Sequence, residues 1–326
     1  MRVVLNGLLG YLGLAGTFMP HFGWAQPYPS KPIRLIVPYP PGASTNDILG
    51  RELARHMTRA LGVQVVVDNR AGAGGHIGSE LAAKAPPDGY TLLIGINGPL
   101  AIGPSMYAHL GYNPLIDLAP IAMFASVPFV LLVNRAVPAA TLKELIAYAR
   151  AKPGQLNFAA SGNGTTTHLC AELFKQSAGI EAAHVPYKGG ALAVVDLMGG
   201  QVQMYCTGLT SVTSQIKSGK VRAVGLAALN RSPLLPDLPT LSEQGLKDFE
   251  VNSWTGLLAP AKTPAPVIER LYGTVAKIVE SAEMKNFILN QGAESVLMDP
   301  QRFGDYLKVE SAKWAKVVKV ANVKAD

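Results

Sequence analysis

The sequence has few cysteines and few charged residues. Cys170 and Cys206 are the two cysteines among 326 residues, and Asp, Glu, Lys and Arg together make up 16%. Cys170 lies among apolar neighbours in a predicted helix, so we expect a buried free thiol there and favour a disulfide less. The net charge of +7 comes from scattered basic residues. This distribution mildly favours anionic ligands, and no nucleic-acid partner is expected.

Motifs of the common enzyme classes are also missing. The sequence has no Gly-Lys-Ser/Thr phosphate loop, no Gly-x-Ser-x-Gly elbow, and no pair of histidines at metal-ligand spacing. GAGGHIG at 72–78 is close to a dinucleotide fingerprint, but its third glycine is one position late and the next strand ends at Asn97, not at an acid. We therefore interpret this loop as a tight turn. No cofactor, metal or catalytic activity is expected. A pair of catalytic carboxylates contributed by distant segments is the alternative that the sequence leaves open.

An apolar segment occupies the N-terminus, and no later run is long enough to cross a membrane. Arg2 precedes an apolar run over 3–19, and Gly-Trp-Ala at 23–25 closes it, which is the layout of a secretory signal peptide. We expect cleavage after Ala25 and a periplasmic protein. The alternative is an uncleaved anchor, which the shortness of the run and its glycines disfavour.

The rest of the chain alternates apolar strand-like runs with amphipathic helices, which predicts a parallel α/β architecture. Its length favours two domains. The apolar run at 121–134, with Pro128 at a bend, is predicted to cross from one lobe to the other, and the strand-like run at 251–261 to return. The predicted division is a signal peptide at 1–25, a discontinuous lobe 1 at 26–127 and 252–326, and lobe 2 at 128–251.

The stretch VPYPPGASTND at 37–47 connects a strand to a helix. Its prolines stop strand pairing, Gly42 permits a tight turn, and Ser44, Thr45 or Asn46 can cap the helix. The first amides of that helix then face outward at the carboxyl end of a parallel sheet, where α/β folds bind ligands. Asp47 suits the helix dipole whatever the ligand, and an ordinary structural connection is the alternative interpretation.

LNFAASGNGTTTHL at 156–169 repeats this pattern after the predicted crossing. Its glycine turn leaves backbone donors open, and three threonines add hydroxyl groups. One such loop in each lobe would face a shared cleft, and since neither contains Arg or Lys, an anion there would be held by amides and hydroxyls. His168 is interpreted as a surface or capping residue, and Lys188 as either a cation at the cleft mouth or a solvated side chain.

Several further segments complete the pattern. Together with both loops, DNRAGAGGHIGSELAAKAPPDGYTLL, HVPYKGGALAVVDLMGGQVQ, IKSGKVRAVGLA, RSPLLPDLPTLSEQG and LLAPAKTPAPVIERL resemble the tripartite tricarboxylate transporter receptor family, also called Bug-type solute-binding proteins. The resemblance covers nearly all of the chain after residue 25. It implies a two-lobed periplasmic binding protein fold of type II, the Venus-flytrap kind, with two parallel-sheet-rich domains joined by crossover strands.

The resemblance also implies a function. It implies a small carboxylate held between the two loops through backbone amides and ordered water, membrane permease subunits as partners, and a monomer. The implied ligand-binding residues are Tyr39, Gly42, Ala43, Ser44, Asp47, Ser161, Gly162, Gly164, Thr165, Thr166 and His168.

Three departures from the family pattern concern the ligand. Ala43 stands where a second glycine is common, and the step from Gly42 to Asp47 is one residue longer than usual. Cys206, followed by Thr207, stands where an acid often faces the cleft. Without that acid an amino-acid ligand is disfavoured, and a mono-, di- or tricarboxylate, aromatic ones included, is favoured. We add Lys188, Cys206 and Thr207 to the candidate site. A ligand-presenting sensor component is the alternative function, and a periplasmic enzyme using the same cleft is a less favoured one.

Overall fold

The structure is a computed structural model that describes residues 28–42, 44–107 and 109–323. The predicted signal peptide and its cleavage position therefore lie outside the described residues, as does Ala43. No helix within the described ranges combines the length and the apolar character that a membrane crossing requires.

Ten strands and eleven α-helices alternate through these ranges. The strands are β1 Ile33–Val37, β2 Val65–Asn69, β3 Thr91–Ile96, β4 Leu118–Val133, β5 Asn157–Ala160, β6 Ala183–Pro186, β7 Met204–Gly208, β8 Arg222–Ala227, β9 Asn252–Pro260 and β10 Glu294–Met298. The helices are α1 Thr45–Leu61, α2 His76–Ala83, α3 Gly103–Met106, α4 Pro114–Asp117, α5 Leu142–Ala151, α6 Thr166–Ala178, α7 Gly190–Gly199, α8 Thr213–Lys217, α9 Ala265–Glu280, α10 Ala282–Asn290 and α11 Pro300–Ala321. Single helical turns occur at Ala73–Gly75, Gly98–Ile102 and Leu209–Ser211.

The strands form a mixed sheet in the order β2-β1-β3-β9-β4-β7-β5-β6, with β8 and β10 also pairing with β4. Pairing is parallel among β1, β2 and β3 and again among β5, β6 and β7. All pairs that involve β4 or β9 are antiparallel. The predicted parallel architecture therefore holds for two groups of three strands, which antiparallel strands join.

Strand β4 connects the two parallel groups. Its residues 118–128 pair with β9, and its residues 129–133 pair with β7 and β8. Pro128 stands opposite Asn252 at the point where the pairing partner changes. Because proline donates no backbone hydrogen bond, it suits such a change of direction. The two runs predicted to cross between lobes are therefore paired neighbours, whereas the lobe boundaries themselves stay a prediction.

Helix α1 shows how local sequence places one wall of the site. Ser44 caps it by accepting a hydrogen bond from the N–H of Asp47, and Gly62 ends it in the left-handed conformation with φ 71°. Leu49, Leu53 and Met57 recur every four residues and are buried, so this helix presents one apolar face to the sheet. Its N-terminus thus lies at the carboxyl end of β1.

Candidate functional site

A cavity of about 510 Å³ lies between the two loops singled out in the sequence. The first loop contributes Tyr39 and Asn46, and the second contributes residues 163–166. The remaining lining residues come from the loop before α2, the segment after β3 and the start of β9. They are Gly74, His76, Ile96, Asn97, Gly98, Ile102, Gly103, Met106, Tyr107 and Ser253.

The first loop is held by the buried carboxylate of Asp47. It accepts hydrogen bonds from the N–H of Gly42 at 2.7 Å, from Arg51 at 2.9 Å and from Asn69 at 2.7 Å. Burial by itself raises the pKa of Asp47, but these three donors outweigh it and leave the pKa below its ordinary value. Asp47 therefore anchors the loop through its own hydrogen bonds, while Arg51 is occupied by Asp47 and Asn69.

Tyr39 forms the outer edge of the same loop. Its hydroxyl lies 3.5 Å from the carbonyl oxygen of Gly74, and burial raises its pKa to about 12. The phenol is therefore neutral at physiological pH, and its hydroxyl, which donates to Gly74, lies at the cavity wall.

The second loop forms the cap of α6. Thr165 is the N-cap residue; its hydroxyl oxygen accepts from the N–H of His168 at 3.4 Å, and its O–H donates to the carbonyl of Gly162 at 2.8 Å. The N–H groups of Thr166 and Thr167 lie in the first turn, so they have no acceptor within the helix. This arrangement leaves backbone donors and the positive end of the helix dipole at the cavity.

His168 stabilises this loop through a hydrogen bond to its backbone. Its Nδ1 accepts a hydrogen bond from the N–H of Gly164 at 3.0 Å, and its ring stacks on His184 at 3.8 Å between centroids. Burial first, and then the neighbouring His184 and Lys175, lower the pKa of His168 to about 4. The imidazole is therefore neutral near pH 7, which the Gly164 hydrogen bond requires.

Two contacts cross the cavity. Asn97, directly after β3, donates to the hydroxyl oxygen of Thr166 at 3.1 Å. Met106 lies so close to Gly164 that a Cβ placed on that glycine would stand 2.1 Å from the methionine methyl group. Gly164 also has φ 67°, so both its space and its backbone favour glycine.

The predicted site residues fall into distinct positions. Tyr39, Gly164, Thr165 and Thr166 line the cavity. Within the described residues, the others shape the two loops or stand farther from the cavity. These are Gly42, Ser44, Asp47, Ser161, Gly162, His168, Lys188, Cys206 and Thr207.

Three of those residues lie farther along the chain than the second loop. The side chain of Lys188 is exposed. Thr207 is buried, with its hydroxyl 3.4 Å from that of Ser211. Cys206 is fully buried and bonded to Cys170, with 6.0 Å between the two Cα atoms. The expectation of a free Cys170 thiol is therefore wrong, and the Cys206 thiol is not free to contact a ligand.

The disulfide was missed because its two cysteines belong to different elements. Cys170 lies in α6 and Cys206 in β7, 36 residues apart. An apolar helical environment predicts burial of a cysteine, and it carries no information on what packs against it. The bond ties the helix that begins at the second loop to the neighbouring strand.

Sequence reasoning also missed part of the cavity lining. His76 follows the glycine turn after β2, and Asn97 follows β3. Both positions are at carboxyl ends of parallel strands, which is the signal that finds ligand-binding residues in α/β folds. The turn prediction for 72–78 is itself confirmed, because Gly72, Gly74 and Gly75 all have positive φ.

One cluster in the described chain has metal-ligand character. Single ligand atoms of Glu52, His56 and Glu283 lie within 4.8 Å of one another. Arg55 donates to Glu52 at 2.5 Å and to Glu283 at 2.8 Å, so a cation already neutralises both carboxylates. The cluster joins α1 to α10 by ion pairs, and the cavity between the loops contains none of its residues.

Comparison with known proteins agrees with this geometry. A family model described as a tripartite tricarboxylate transporter family receptor matches residues 49–323. The chain belongs to this receptor family. Protein BugT of Bordetella pertussis (strain Tohama I) is 38% identical over 319 residues, which cover 96% of this chain and 98% of BugT.

Solved structures show the same fold. Rpa4515 of R. palustris with adipate superposes with a TM-score of 0.75 at 35% identity, covering 91% of this chain and 99% of that chain. The periplasmic binding protein BugD superposes with a TM-score of 0.71 at 36% identity, covering 92% of this chain and 100% of that chain. The predicted two-lobed α/β binding-protein fold is confirmed, and the family is one of solute-binding receptors.

Proposed function

We propose that this protein is a periplasmic receptor that captures a small carboxylate in the cavity between the two loops and delivers it to the permease subunits of a tripartite tricarboxylate transporter. It acts by binding and carries out no chemical conversion of its ligand. The proposal extends the family membership to a ligand class and to a transport partner.

The observation that carries the proposal is how the cavity is lined. It is bounded by the first loop and by the N-terminus of α6, and its described lining residues include neither Lys nor Arg. A helix N-terminus favours negative charge through its free amides and its dipole. The volume of about 510 Å³ lies within the usual range for small-molecule sites. Adipate bound by Rpa4515 is a carboxylate of this kind.

We assign direct ligand contact to Tyr39, Thr165, Thr166 and the amides around Gly164. In this assignment the other described candidates in the two loops hold the donors in place: Gly42, Ser44, Asp47, Ser161, Gly162 and His168. Lys188 acts at the rim of the cleft, where a cation raises the association rate more than the affinity.

Motion of two lobes accompanies binding in this proposal. Lobe 1, residues 26–127 and 252–326, closes against lobe 2, residues 128–251, and buries the ligand between the loops. Small-angle scattering tests this directly, since the radius of gyration should fall when a confirmed ligand is added.

The ligand class is tested by a thermal-shift screen of carboxylates against neutral and cationic solutes of similar size. A ligand present at a hundred times its dissociation constant stabilises the protein by about 2.7 kcal/mol, so a true ligand is readily detected. Calorimetry then gives its affinity. Stabilisation by sugars or amines, with no response to any carboxylate, would contradict the proposal.

Location and delivery need separate tests. Intact-mass measurement of the periplasmic fraction should give a chain that begins at Gln26, as cleavage after Ala25 predicts. Uptake of the identified ligand by permease subunits in vesicles should depend on added receptor. Full-length chain retained in the membrane, or uptake independent of receptor, would contradict these two parts.

A further inference from the structure

Two polar side chains line the cavity on the side of α2 and β3 and belong to neither of the two loops. His76 is 8% exposed and Asn97 is 4% exposed, and both line the cavity. The hydrogen bonds of each residue fix which of its atoms is left for a ligand. Because both residues line the same cavity, we rely here on the proposed function.

The hydrogen bonds around His76 select one tautomer. Its Nδ1 lies 3.0 Å from the hydroxyl oxygen of Tyr112, and that hydroxyl donates to the carbonyl of Pro99 at 2.9 Å. A carbonyl only accepts, so the single phenolic proton is used there. Both hydrogen bonds form together only if Nδ1 carries a proton and donates it to Tyr112. Nε2 of His76 is then unprotonated and is an acceptor.

Packing places that acceptor at the cavity. Cε1 and Nε2 of His76 lie against Gly103, where an added Cβ would stand 2.1 and 2.6 Å from them. The ring is also packed edge-on against Tyr107, with 4.6 Å between centroids. His76, Gly103 and Tyr107 all line the cavity, so we place the Nε2 edge of the ring at the cavity wall beside Gly103. Burial lowers the pKa of His76, which keeps the ring neutral.

The orientation of Asn97 is fixed in the same way. Its Nδ2 lies 3.1 Å from the backbone carbonyl of Asn252, which only accepts, and 3.1 Å from the hydroxyl oxygen of Thr166. Both amide protons are therefore used, and Oδ1 is the atom left as an acceptor. This side of the cavity thus presents two neutral acceptors, whereas the N-terminus of α6 presents donors.

We propose that the ligand is a hydroxycarboxylate: its carboxylate binds the donors at the start of α6, and its hydroxyl group donates to Nε2 of His76. A second carboxylate at this position would meet two lone pairs and no donor. A plain hydrocarbon end would leave both acceptors buried without a partner, which is costly. A hydroxyl group satisfies one acceptor without bringing a charge.

Tyr112 is the positioning residue in this arrangement. It does not line the cavity, and it acts by holding the proton on Nδ1 of His76. Removing its hydroxyl frees the imidazole to move its proton to Nε2, which would turn the acceptor into a donor.

The test compares carboxylates that differ only by a hydroxyl group, by calorimetry at pH 7.5 on the full mature receptor. The probes are succinate and malate, adipate and 3-hydroxyadipate, and benzoate and 4-hydroxybenzoate. In at least one pair the hydroxylated member should bind about tenfold more tightly. His76→Phe keeps an aromatic ring and should bring that ratio close to one, and Tyr112→Phe should lower it. His109→Phe, at an exposed histidine, should leave it unchanged.

Three outcomes would overturn the inference. One is that the plain member binds as tightly as its hydroxylated partner in every pair. Another is that the ratio stays high in both His76→Phe and Tyr112→Phe. The third is that plain succinate or adipate is preferred over its hydroxylated partner and binds with proton uptake, measured in buffers of different ionisation enthalpy, which would mean that His76 is protonated and donates. In these cases the carboxylate receptor proposal survives, whereas binding of no probe at all would contradict both.

Discussion

Asn97 Nδ2 donates to Thr166 Oγ1 across the cavity, at 3.1 Å. The donor follows β3 and the acceptor begins α6, so one hydrogen bond joins the two walls between which we place the ligand. This hydrogen bond therefore stabilises the arrangement in which the two walls are adjacent.

Thr166→Val removes this bond while keeping the shape of the side chain. We expect the ligand-free protein to open, because Asn97 then has only the Asn252 carbonyl, and affinity to fall by about the value of one neutral hydrogen bond, roughly 0.5–1.5 kcal/mol. Small-angle scattering and calorimetry measure the two effects. Thr274→Val is the control, since that half-buried threonine donates to the Arg270 carbonyl of its own helix. An unchanged radius of gyration in Thr166→Val would show that the bond does not hold the walls together.

Gly164→Val should damage binding far more than truncation of a neighbouring hydroxyl. The new side chain would meet Met106 and strain a backbone at φ 67°, so we expect affinity to fall more than tenfold. Thr165→Ala should cost only about one hydrogen bond, roughly 0.5–1.5 kcal/mol. Calorimetry with the identified ligand makes the comparison.

Gly154→Val is the matched control for backbone strain. Gly154 has φ 73° and no neighbour within 4 Å of an added Cβ, so this variant should lose stability without losing affinity. Adding Met106→Ala to Gly164→Val should restore part of the binding. If Gly164→Val binds normally, the backbone donors of this loop do not hold the ligand.

Reduction of the Cys170–Cys206 bond should destabilise the protein without unfolding it at room temperature. A closed loop of 36 residues corresponds to roughly 3–4 kcal/mol of lost stability in the chain-entropy description. Urea denaturation with and without reductant measures it, and Cys206→Ala should show no further loss on reduction. Equal midpoints for oxidised and reduced wild-type protein would mean that the bond does not form in solution.

Stability should fall as the pH is lowered through the range from 6.5 towards 4. The pKa of His168 is about 4 in the folded protein, against an ordinary value of 6.5, so in this range the unfolded chain binds a proton that the folded protein does not. The folded state is thereby disfavoured as the pH falls, by up to about 3 kcal/mol.

His168→Gln keeps an acceptor for Gly164 but cannot titrate, so the pH dependence of its free energy of unfolding should be shallower. His109→Gln, at an exposed site, serves as control and should follow the wild type. Urea denaturation at several pH values gives these slopes. Parallel curves for His168→Gln and the wild type would show that His168 titrates normally.

Local sequence signals predicted the long elements well. The sequence TNDILGRELARHMTRAL predicts a helix over 45–61 and PQRFGDYLKVESAKWAKVVKVA predicts one over 300–321, and α1 and α11 have these limits in the structure. Each helix has an apolar repeat, and the side chain just before it caps its N-terminus. The five-residue strand β10 and the single helical turn at Gly98–Ile102 were missed. Segments this short contain too few residues for a periodic pattern, and tertiary contacts decide their conformation.

The same distinction between local and tertiary signals applies to the site. A loop that follows a strand and caps a helix is recognisable from consecutive residues, so the sequence predicts Thr165 and Thr166 at the cavity, where the structure has them. His76 acquires its role only through Tyr112 and Pro99, and no spacing within the sequence encodes that contact. The disulfide was missed for the same reason.

The pairing of Pro128 with Asn252 determines which part of the chain can be exchanged between related receptors. The chain leaves for residues 129–251 and returns from them at two directly opposed backbone positions. Residues 129–251 can therefore be exchanged between relatives without changing the path of the rest of the polypeptide. We therefore expect one contiguous exchange of residues 129–251 to replace the wall that contains the second loop while the wall that contains the first loop stays the same.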